Sequence, residues 1–413
     1  LENTGTNKSS RPSLFKIHRR ITMADTLFFS RDTKVYVAPL TAAGDEVAGA
    51  IWEIPVLDGF SFSQATNSSE ITLNEMEASG GGSRRGRKMF NDSYAPAEWS
   101  FSTYARPFKS GADGAVAGAA DNQVAHHAVE EALWAMMVGN ALFTVPTGSQ
   151  VSVWTQGLTQ DGTDLDIDFA DSNTSTLGIA NIYFVLGKTG ETATTYKIAN
   201  CCINEASIEF DIDGIATIAW SGMGTIISEA SAPTRTRYEA IGSTTNFIRN
   251  RLTQLVMTTA DDHLRSVSEN DDGDSDAETY NLTLTGGNIT ISNNMTFLTP
   301  ETLGVVNQPL GHVTGTRTIG GSFTCYLNST ADSSMDLFER IIEDSDTITN
   351  KFDLSFKVGG ASSVPRIEFD MAACHLEVPT HSIDDVISLE VNFHALGTDI
   401  SSTDEIAIKY IGA

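Results

Sequence analysis

The sequence predicts a mainly β chain of two tandem β-sandwich or β-barrel modules, each with one sheet-packed α-helix. Strand-like runs with alternating apolar and polar residues recur throughout its 413 residues. Two segments, VEEALWAMM (129–137) and SMDLFERII (334–342), instead place apolar residues at helical spacing. The two halves also read alike in the same order. WSFSTYARP (99–107), the first helix and ATIAWSGMGT (216–225) are matched by GSFTCYLNS (321–329), the second helix and LEVNFHALGT (389–398). Phe101 and Tyr104 align with Phe323 and Tyr326, Leu133 and Trp134 with Leu337 and Phe338, and Trp220, Gly224 and Thr225 with Phe393, Gly397 and Thr398.

Spacing supports a duplication. Cys201 with Cys374 and Gly224 with Gly397 are each 173 residues apart, so this stretch aligns without a gap. Phe101 and Phe323 are 222 apart, and Leu133 and Leu337 are 204 apart. The falling offset assigns extra, loop-like residues to the first copy at 109–122 and 146–166. Surface loops are where a fold accepts insertions at least cost.

Taken in order, KVYVAP (34–39) and IWEIPVLDGFSFS (51–63) read as strands, and ITLNE (71–75) continues the sheet. EASGGGSRRGRK (77–88) breaks it with glycines and bases, which make a flexible, positive loop. EWSFSTYARP (98–107) resumes with Trp99, Phe101 and Thr103 on one side and Ser100, Ser102 and Tyr104 on the other. In 124–138, Val129, Ala132, Leu133, Met136 and Met137 form one helical stripe. IYFVLG (182–187) and TTYKIANCCI (194–203) read as paired strands. SIEFDID (207–213) follows with Ile208, Phe210 and Ile212 inward, and ATIAWSG (216–222) completes the unit.

The Ser/Thr-rich segment 228–246 reads as the linker between a first module at 23–227 and a second at 247–413. Residues 1–22 are a polar, basic N-terminal extension, with Met23-Ala24-Asp25 reading as a natural start. In the second unit, strands are expected at 252–259, 280–294, 318–327, 352–360, 365–378 and 386–396, and a helix at 333–343.

A net charge of −27, from 53 acids against 26 bases, argues against tight general binding to nucleic acid, which needs surplus Lys and Arg. It is compatible with letting nucleic acid slide past. The four cysteines, Cys201, Cys202, Cys325 and Cys374, show neither CxxC spacing nor a dense framework, so buried thiols are expected. No run approaches the ~18 apolar residues of a membrane-spanning helix.

Catalytic signatures are weak. His126, His127, Glu130 and Glu131 lie close along the first helix, and His126 and Glu130 share a face by their spacing of four. They lack HExxH order and a third ligand, so a solvated polar face is expected. GGGSRRGRK departs from the phosphate-loop pattern after Gly86, where Arg87-Lys88-Met89 follows. The acidic run 268–278 fails as a calcium loop, because Ser268 and Thr279 stand where Asp and Glu are needed. The five tryptophans read as core. Neither a catalytic set nor a cofactor is expected, which places a symmetric structural assembly ahead of an enzyme or a carbohydrate-binding β protein.

The arrangement of strands, a long inter-strand loop, a sheet-packed helix and a strand pair resembles the tail tube (major tail) proteins of long-tailed bacteriophages. So do the opening MADTLFFSRDTKVYVAP and the segment IPVLDGFSFSQATNSSEITLNE. The two-module form is similar to tube proteins that build trimeric, pseudo-hexameric rings. The resemblance implies tail-tube-like modules whose sheets join those of neighbouring copies into a β-barrel around a channel. It implies a virion protein assembled in the host cytoplasm and stacked as rings. Its partners would be other copies and other tail proteins: a sheath or terminator, the tape measure, and the baseplate or tip. DNA would transit without specific binding, and no membrane is involved. Another β-rich tail, baseplate or secretion-tube component is the alternative.

The resemblance further implies that long loops, at 76–97 and 298–317, reach the next ring. Gly80, Gly81, Gly82, Arg84, Arg85, Arg87 and Lys88 are the inter-ring candidates of the first, and Pro300 and Pro309 those of the second. In a trimer the two unlike loops would alternate. Glu209, Asp211 and Asp213 in the first module and Glu368, Asp370 and Glu390 in the second are the candidate lumen acids. By the 173-residue offset Glu368 and Asp370 fall opposite Thr195 and Lys197, so the acid pattern is not repeated there.

Overall fold

Alternation along the sequence becomes one long antiparallel sheet with two smaller sheets behind it. The computed structural model describes residues 28–71, 77–78, 82–83, 88–110, 125–139, 154, 157–160, 163–169, 177–187, 193–235, 245–259, 278–330, 332–343, 352–360, 365–383, 385–400 and 402–412. The N-terminal extension and the acidic run 268–278 lie outside them.

The first half runs β1 (Thr33–Pro39), β2 (Trp52–Ile54), β3 (Ser61–Ile71), β4 (Glu77–Ala78), β5 (Gly82–Ser83), β6 (Lys88–Tyr104), β7 (Pro107–Ser110), β8 (Ala125–Ala128), α1 (Glu131–Val138), β9 (Leu158–Gln160), β10 (Asp164–Asp168), β11 (Ala180–Leu186), β12 (Thr194–Asp211), β13 (Thr217–Gly224) and β14 (Ile227–Glu229). The second half runs β15 (Gln254–Thr259), β16 (Glu278–Asn281), β17 (Leu284–Ser292), β18 (Thr296–Leu298), β19 (Gly311–Val313), β20 (Thr318–Tyr326), α2 (Ser334–Glu343), β21 (Phe352–Val358), β22 (Arg366–Leu376), β23 (Thr380–Ile383), β24 (Ile387–Ala395) and β25 (Ala407–Ile411).

The long sheet is ordered β3–β6–β13–β12–β17–β20–β24, with β23 and the end of β22 on the far side of β24. Its seam is the β12–β17 ladder, where Glu205–Asp211 of the first half pair with Gly286–Ser292 of the second. One smaller sheet is β2–β1–β11–β12–β14. The other is β16–β15–β21–β22–β25–β10–β9. Strand β12 serves two sheets because it is 18 residues long and irregular in the middle. Asn200 takes a positive φ of 49°, which Asn tolerates better than most residues, and the register shifts between Ile203 and Glu205.

Three expectations about strand pairing and its limits are corrected first. The insertion at 146–166 is not simply a loop. It contains β9 and the start of β10, and β10 pairs with β25, so first-half residues extend a second-half sheet. The gapless 173-residue offset would set His381 opposite Val391, as Ile208 is opposite Ile218, but His381 pairs with Leu389. Likewise Phe101 faces Trp220 while Phe323 faces Val391, and Phe393 faces Gly321. The slip is an even number of residues, so the inward and outward sets are preserved. Finally, Ile212 is 45% exposed rather than inward, because the chain leaves the sheet at Asp211.

The first helix begins later than its apolar stripe suggested, since residues 125–128 form β8. All eight residues of α1 are buried against β12 and β10, so it is apolar-packed all round rather than amphipathic. Trp134 meets Trp220 edge-on with ring centroids 4.8 Å apart. Gly139, at φ 135°, ends the helix. Helix α2 keeps the expected bounds to within a residue and buries Leu337 and Ile341.

His126, His127, Glu130 and Glu131 are buried, which overturns the solvated face. His127 Nδ1 lies 2.9 Å from Glu131 Oε2, and Gln160 donates to the same oxygen at 3.3 Å. The Tyr410 hydroxyl of β25 donates to Glu130 Oε1 at 2.6 Å and accepts from Trp134 Nε1 at 2.8 Å. The Arg106 backbone N–H also donates to Glu130 Oε1, whereas Oε2 has no partner among the described residues. These bonds fasten the first-half helix to the Ala407–Ile411 strand. No three His, Cys, Asp or Glu side chains among the described residues are grouped to hold a metal, and all four cysteines are free and buried.

Burial pushes the Glu130 carboxyl up to about 7, against the bonds from Tyr410 and the backbone and the nearby Arg106 charge. A carboxyl raised on folding is best tolerated neutral. Its cost is absent below the unfolded value near 4.5, grows as pH rises, and is complete above about 7. That cost is about 3 kcal/mol. Glu130→Gln keeps an acceptor for Tyr410 and carries no charge. Thermal melts from pH 4 to 9 should show the variant gaining on the wild type as pH rises, with the difference levelling off above about 7. Tyr410→Phe removes a donor to Glu130 and an acceptor for Trp134, and should cost about 1–3 kcal/mol in denaturant titrations.

Candidate functional site

Period-two alternation gives the long sheet two unlike faces. The inner face carries Trp99, Phe101, Ile208, Phe210, Ile218, Trp220, Ile289, Ile291, Phe323, Leu389, Val391 and Phe393, all buried. It packs closely. A Cβ on Gly222 would lie 2.1 Å from the Cys202 carbonyl oxygen and 2.6 Å from the Trp99 ring, so only glycine fits there.

The opposite face is small and polar. Register places Ser61, Ser100, Ser221, Glu205, Ser292 and Thr318 in one row across the sheet. Two residues along, Ser102, Ala219, Ser207, Thr290, Gly320 and His394 form the next row. Ser61 and Ser100 hydroxyls lie 2.8 Å apart, and Ser207 and Thr290 hydroxyls 3.3 Å apart. The acids on this face are Glu98, Glu205, Glu209, Asp211, Glu390 and, bound to Asn392 and His394 at its border, Glu377, of which all but the half-buried Glu205 are exposed. Strands β3, β6, β12, β13, β17, β20, β23 and β24 contain only two Lys or Arg residues, besides His381 and His394. Lys88 is at the far end of β6, and Lys197 is in the part of β12 that belongs to a smaller sheet.

The six expected acids therefore divide. Glu209, Asp211 and Glu390 share the polar face. Asp213 lies past the end of β12, strongly exposed and 3.3 Å from Arg251 Nη1. Glu368 and Asp370 sit in the part of β22 that pairs with β21 and β25, away from that face. Glu368 is buried and bound at 2.8 Å by Arg366 Nε, and Asp370 accepts from the Ser355 hydroxyl. Sequence reasoning missed Glu98 and Glu205. Both continue the outward alternation of β6 and, across its bulge, of β12, and were findable by extending it.

The expected loops also differ from one another. Residues 88–97 are strand rather than loop, because β3 and β6 form a long hairpin with Lys88 paired to Ile71 and exposed. Gly82 pairs with Ala78 in a small ladder. Gly80, Gly81, Arg84, Arg85 and Arg87 lie outside the described residues. The second loop folds back across the end of the sheet. Asn307 N–H donates to the Asp92 carbonyl at 3.1 Å, and Tyr94 N–H donates to the Asn307 carbonyl at 2.9 Å. Pro309 is buried and Pro300 exposed.

The two edges of the sheet are β3 and β23. Among the described residues β3 pairs only with β6, and β23 only with β24. Unpaired edges of this kind invite another chain.

The profile of the family described as Phage tail tube protein matches residues 100–395, a span that runs from β6 to the end of β24. The chain is also similar to "Tail tube protein pb6" of Escherichia phage T5, at 30% identity over 385 residues, 91% of this chain and 74% of the relative. A continuous β-sheet with one base-poor polar face and open edges is what such a subunit requires, and the chain belongs to the phage tail tube protein family.

Proposed function

We propose that three copies of this chain close into a ring whose inner wall is the polar face of the long sheet, and that stacked rings form the channel through which the genome leaves the virion. The family assigns a structural role in the virion tail, and such proteins assemble into a tube with other tail proteins. On this reading the chain catalyses nothing.

The observation that carries the trimer is the order of strands across the seam. The set β3–β6–β13–β12 is followed by β17–β20–β24 and then β22 and β23. Each half thus contributes a hairpin followed by a strand pair. The β12–β17 ladder joins the two sets within a chain. The same join made between the β23 edge of one copy and the β3 edge of the next would continue the sheet without a free edge. This supports two modules per chain and a pseudo-sixfold ring of three.

Glu98, Glu205, Glu209, Asp211 and Glu390 supply the lumen charge in this arrangement. On a face where carboxylates outnumber Lys and Arg, a phosphate backbone is repelled within about one Debye length, ~8–10 Å, so DNA passes without being held. Ser, Thr and Gly between them keep the wall smooth.

Negative-stain electron microscopy of concentrated protein should show hollow tubes, and globular monomers under all conditions would overturn the reading. With Glu205→Lys and Glu209→Lys together, tubes should form at normal diameter while DNA release from triggered virions slows several-fold, followed by dye fluorescence. Release at the wild-type rate would remove these residues from the channel wall.

A further inference from the structure

A cleft of about 240 Å³ opens at one end of the seam, where β12 leaves the long sheet and β17 enters it. Asp211 and Ile212 wall it on the β12 side, and Leu284 on the β17 side. The third wall is Asn250 and Thr253, from the single 3-10 turn that leads into β15. The backbone of this turn is well provided. Asn250 N–H donates to the Gly214 carbonyl at 3.3 Å, and Thr253 N–H to the Asn250 carbonyl at 2.9 Å. Its side chains are not. Asn250 is only 7% exposed, yet neither its Oδ1 nor Thr253 Oγ1 has a hydrogen-bond partner among the described residues. Buried polar atoms are ordinarily paired, and leaving one unpaired costs stability. Two of them in the wall of one cleft mark a place where a donor is missing. The mouth is negative. Asp211 is exposed and accepts only from the Ile212 N–H, at 2.6 Å, among the described residues. The nearby cation, Arg251, is engaged by Asp213, with Nη1 at 3.3 Å from the carboxylate.

We propose that this cleft binds a small aliphatic cation, a primary ammonium or a guanidinium on an alkyl stem. The N–H groups of the head supply the missing donors to Asn250 Oδ1 and Thr253 Oγ1. The Asp211 carboxylate offsets the charge, and the stem lies along the apolar walls of Ile212 and Leu284. An anion fits worse, because it meets two carboxylates against one engaged guanidinium at the mouth, and an unpaired acceptor inside. A neutral alcohol of the same length supplies donors but leaves Asp211 unmatched. One water, whose share of liquid volume is ~30 Å³, is far too small to fill the space. A bound cation ties together β12, β17 and the turn before β15, so it braces the seam between the two halves from its end. The site lies within one subunit and does not depend on the tube reading.

Calorimetric titration of dilute subunits with putrescine and with agmatine should show saturable binding at one site per chain. Butanediol, equal to putrescine in length and uncharged, should show none. A chain of net charge −27 attracts any cation loosely, so the deciding variants leave the charge alone. Asn250→Leu and the isosteric Thr253→Val should each keep the wild-type circular dichroism spectrum and weaken putrescine binding about tenfold. Asp211→Asn should weaken it to a similar degree. Glu209→Gln, which removes a carboxylate of the same strand outside the cleft, should leave it unchanged. Putrescine bound equally by wild type and both uncharged variants, equal binding of butanediol, or equal losses in Asp211→Asn and Glu209→Gln would overturn the proposal. Nα-acetyl-lysine amide separates two sources of the same head group. Affinity equal to that of putrescine marks a Lys side chain of another chain as the natural occupant, and much weaker affinity marks a free amine.

Discussion

The ladder between Glu205–Asp211 and Gly286–Ser292 is the constraint on which the rest depends. It makes one sheet from two halves of a chain, and by doing so it sets which residues share a face. A slip of one residue at this seam would turn the second-half set, Ile289 and Ile291 included, toward solvent and bring Asn288 and Thr290 into the core. The seam is held against that slip from both sides. Ile208 is paired simultaneously with Ile218 and Ile289, and Phe210 packs on Phe356 of the second half at 5.4 Å.

Separation of chemistry between the faces follows from the same ladder. Aromatic and β-branched residues fill the space between the long sheet and the two behind it. Hydroxyls, glycines and carboxylates are left on the other side. The buried polar groups the core does contain are concentrated around α1, where β8, β9 and β25 converge. There Glu131 is satisfied by His127 and Gln160, while one oxygen of Glu130 has no partner among the described residues. A core that includes a half-satisfied carboxylate is less stable at neutral pH than an apolar one of the same shape would be. In return Glu130 joins residues about 280 positions apart in sequence.

Much of this was legible in the sequence, for definable reasons. Trp99, Phe101 and Thr103 against Ser100, Ser102 and Tyr104 gave the faces of β6 correctly, because period-two alternation is local. The second helix was readable to within a residue, since one of its faces meets solvent and its pattern is complete. The first was not, because a helix buried on every side has no polar stripe to mark its start. Glu209, Asp211 and Glu390 were picked from alternation and share a face. Glu368 and Asp370 alternate just as well, but in a part of β22 that turns into another sheet, and no local pattern distinguishes one sheet from another. His126 and Glu131 carry charge or polarity that normally signals exposure, and only the tertiary partners Gln160 and Tyr410 explain why their neighbourhood is buried. The strand character of 158–168 was hidden for the same reason, since its partner lies far along the chain.

That distant partner sets a timetable for synthesis. Strand β10 emerges early, yet the strand it pairs with, β25, is made some 240 residues later. At roughly 5–20 residues per second on the ribosome, the edge of β10 stays unmatched for something like 12–50 seconds. Long-range antiparallel pairing of this kind is intrinsically slow. Each newly made subunit therefore completes its fold only once residues 407–411 are free to move into place. Until then the outer edge of β10 offers its unpaired backbone groups to whatever strand lies nearest.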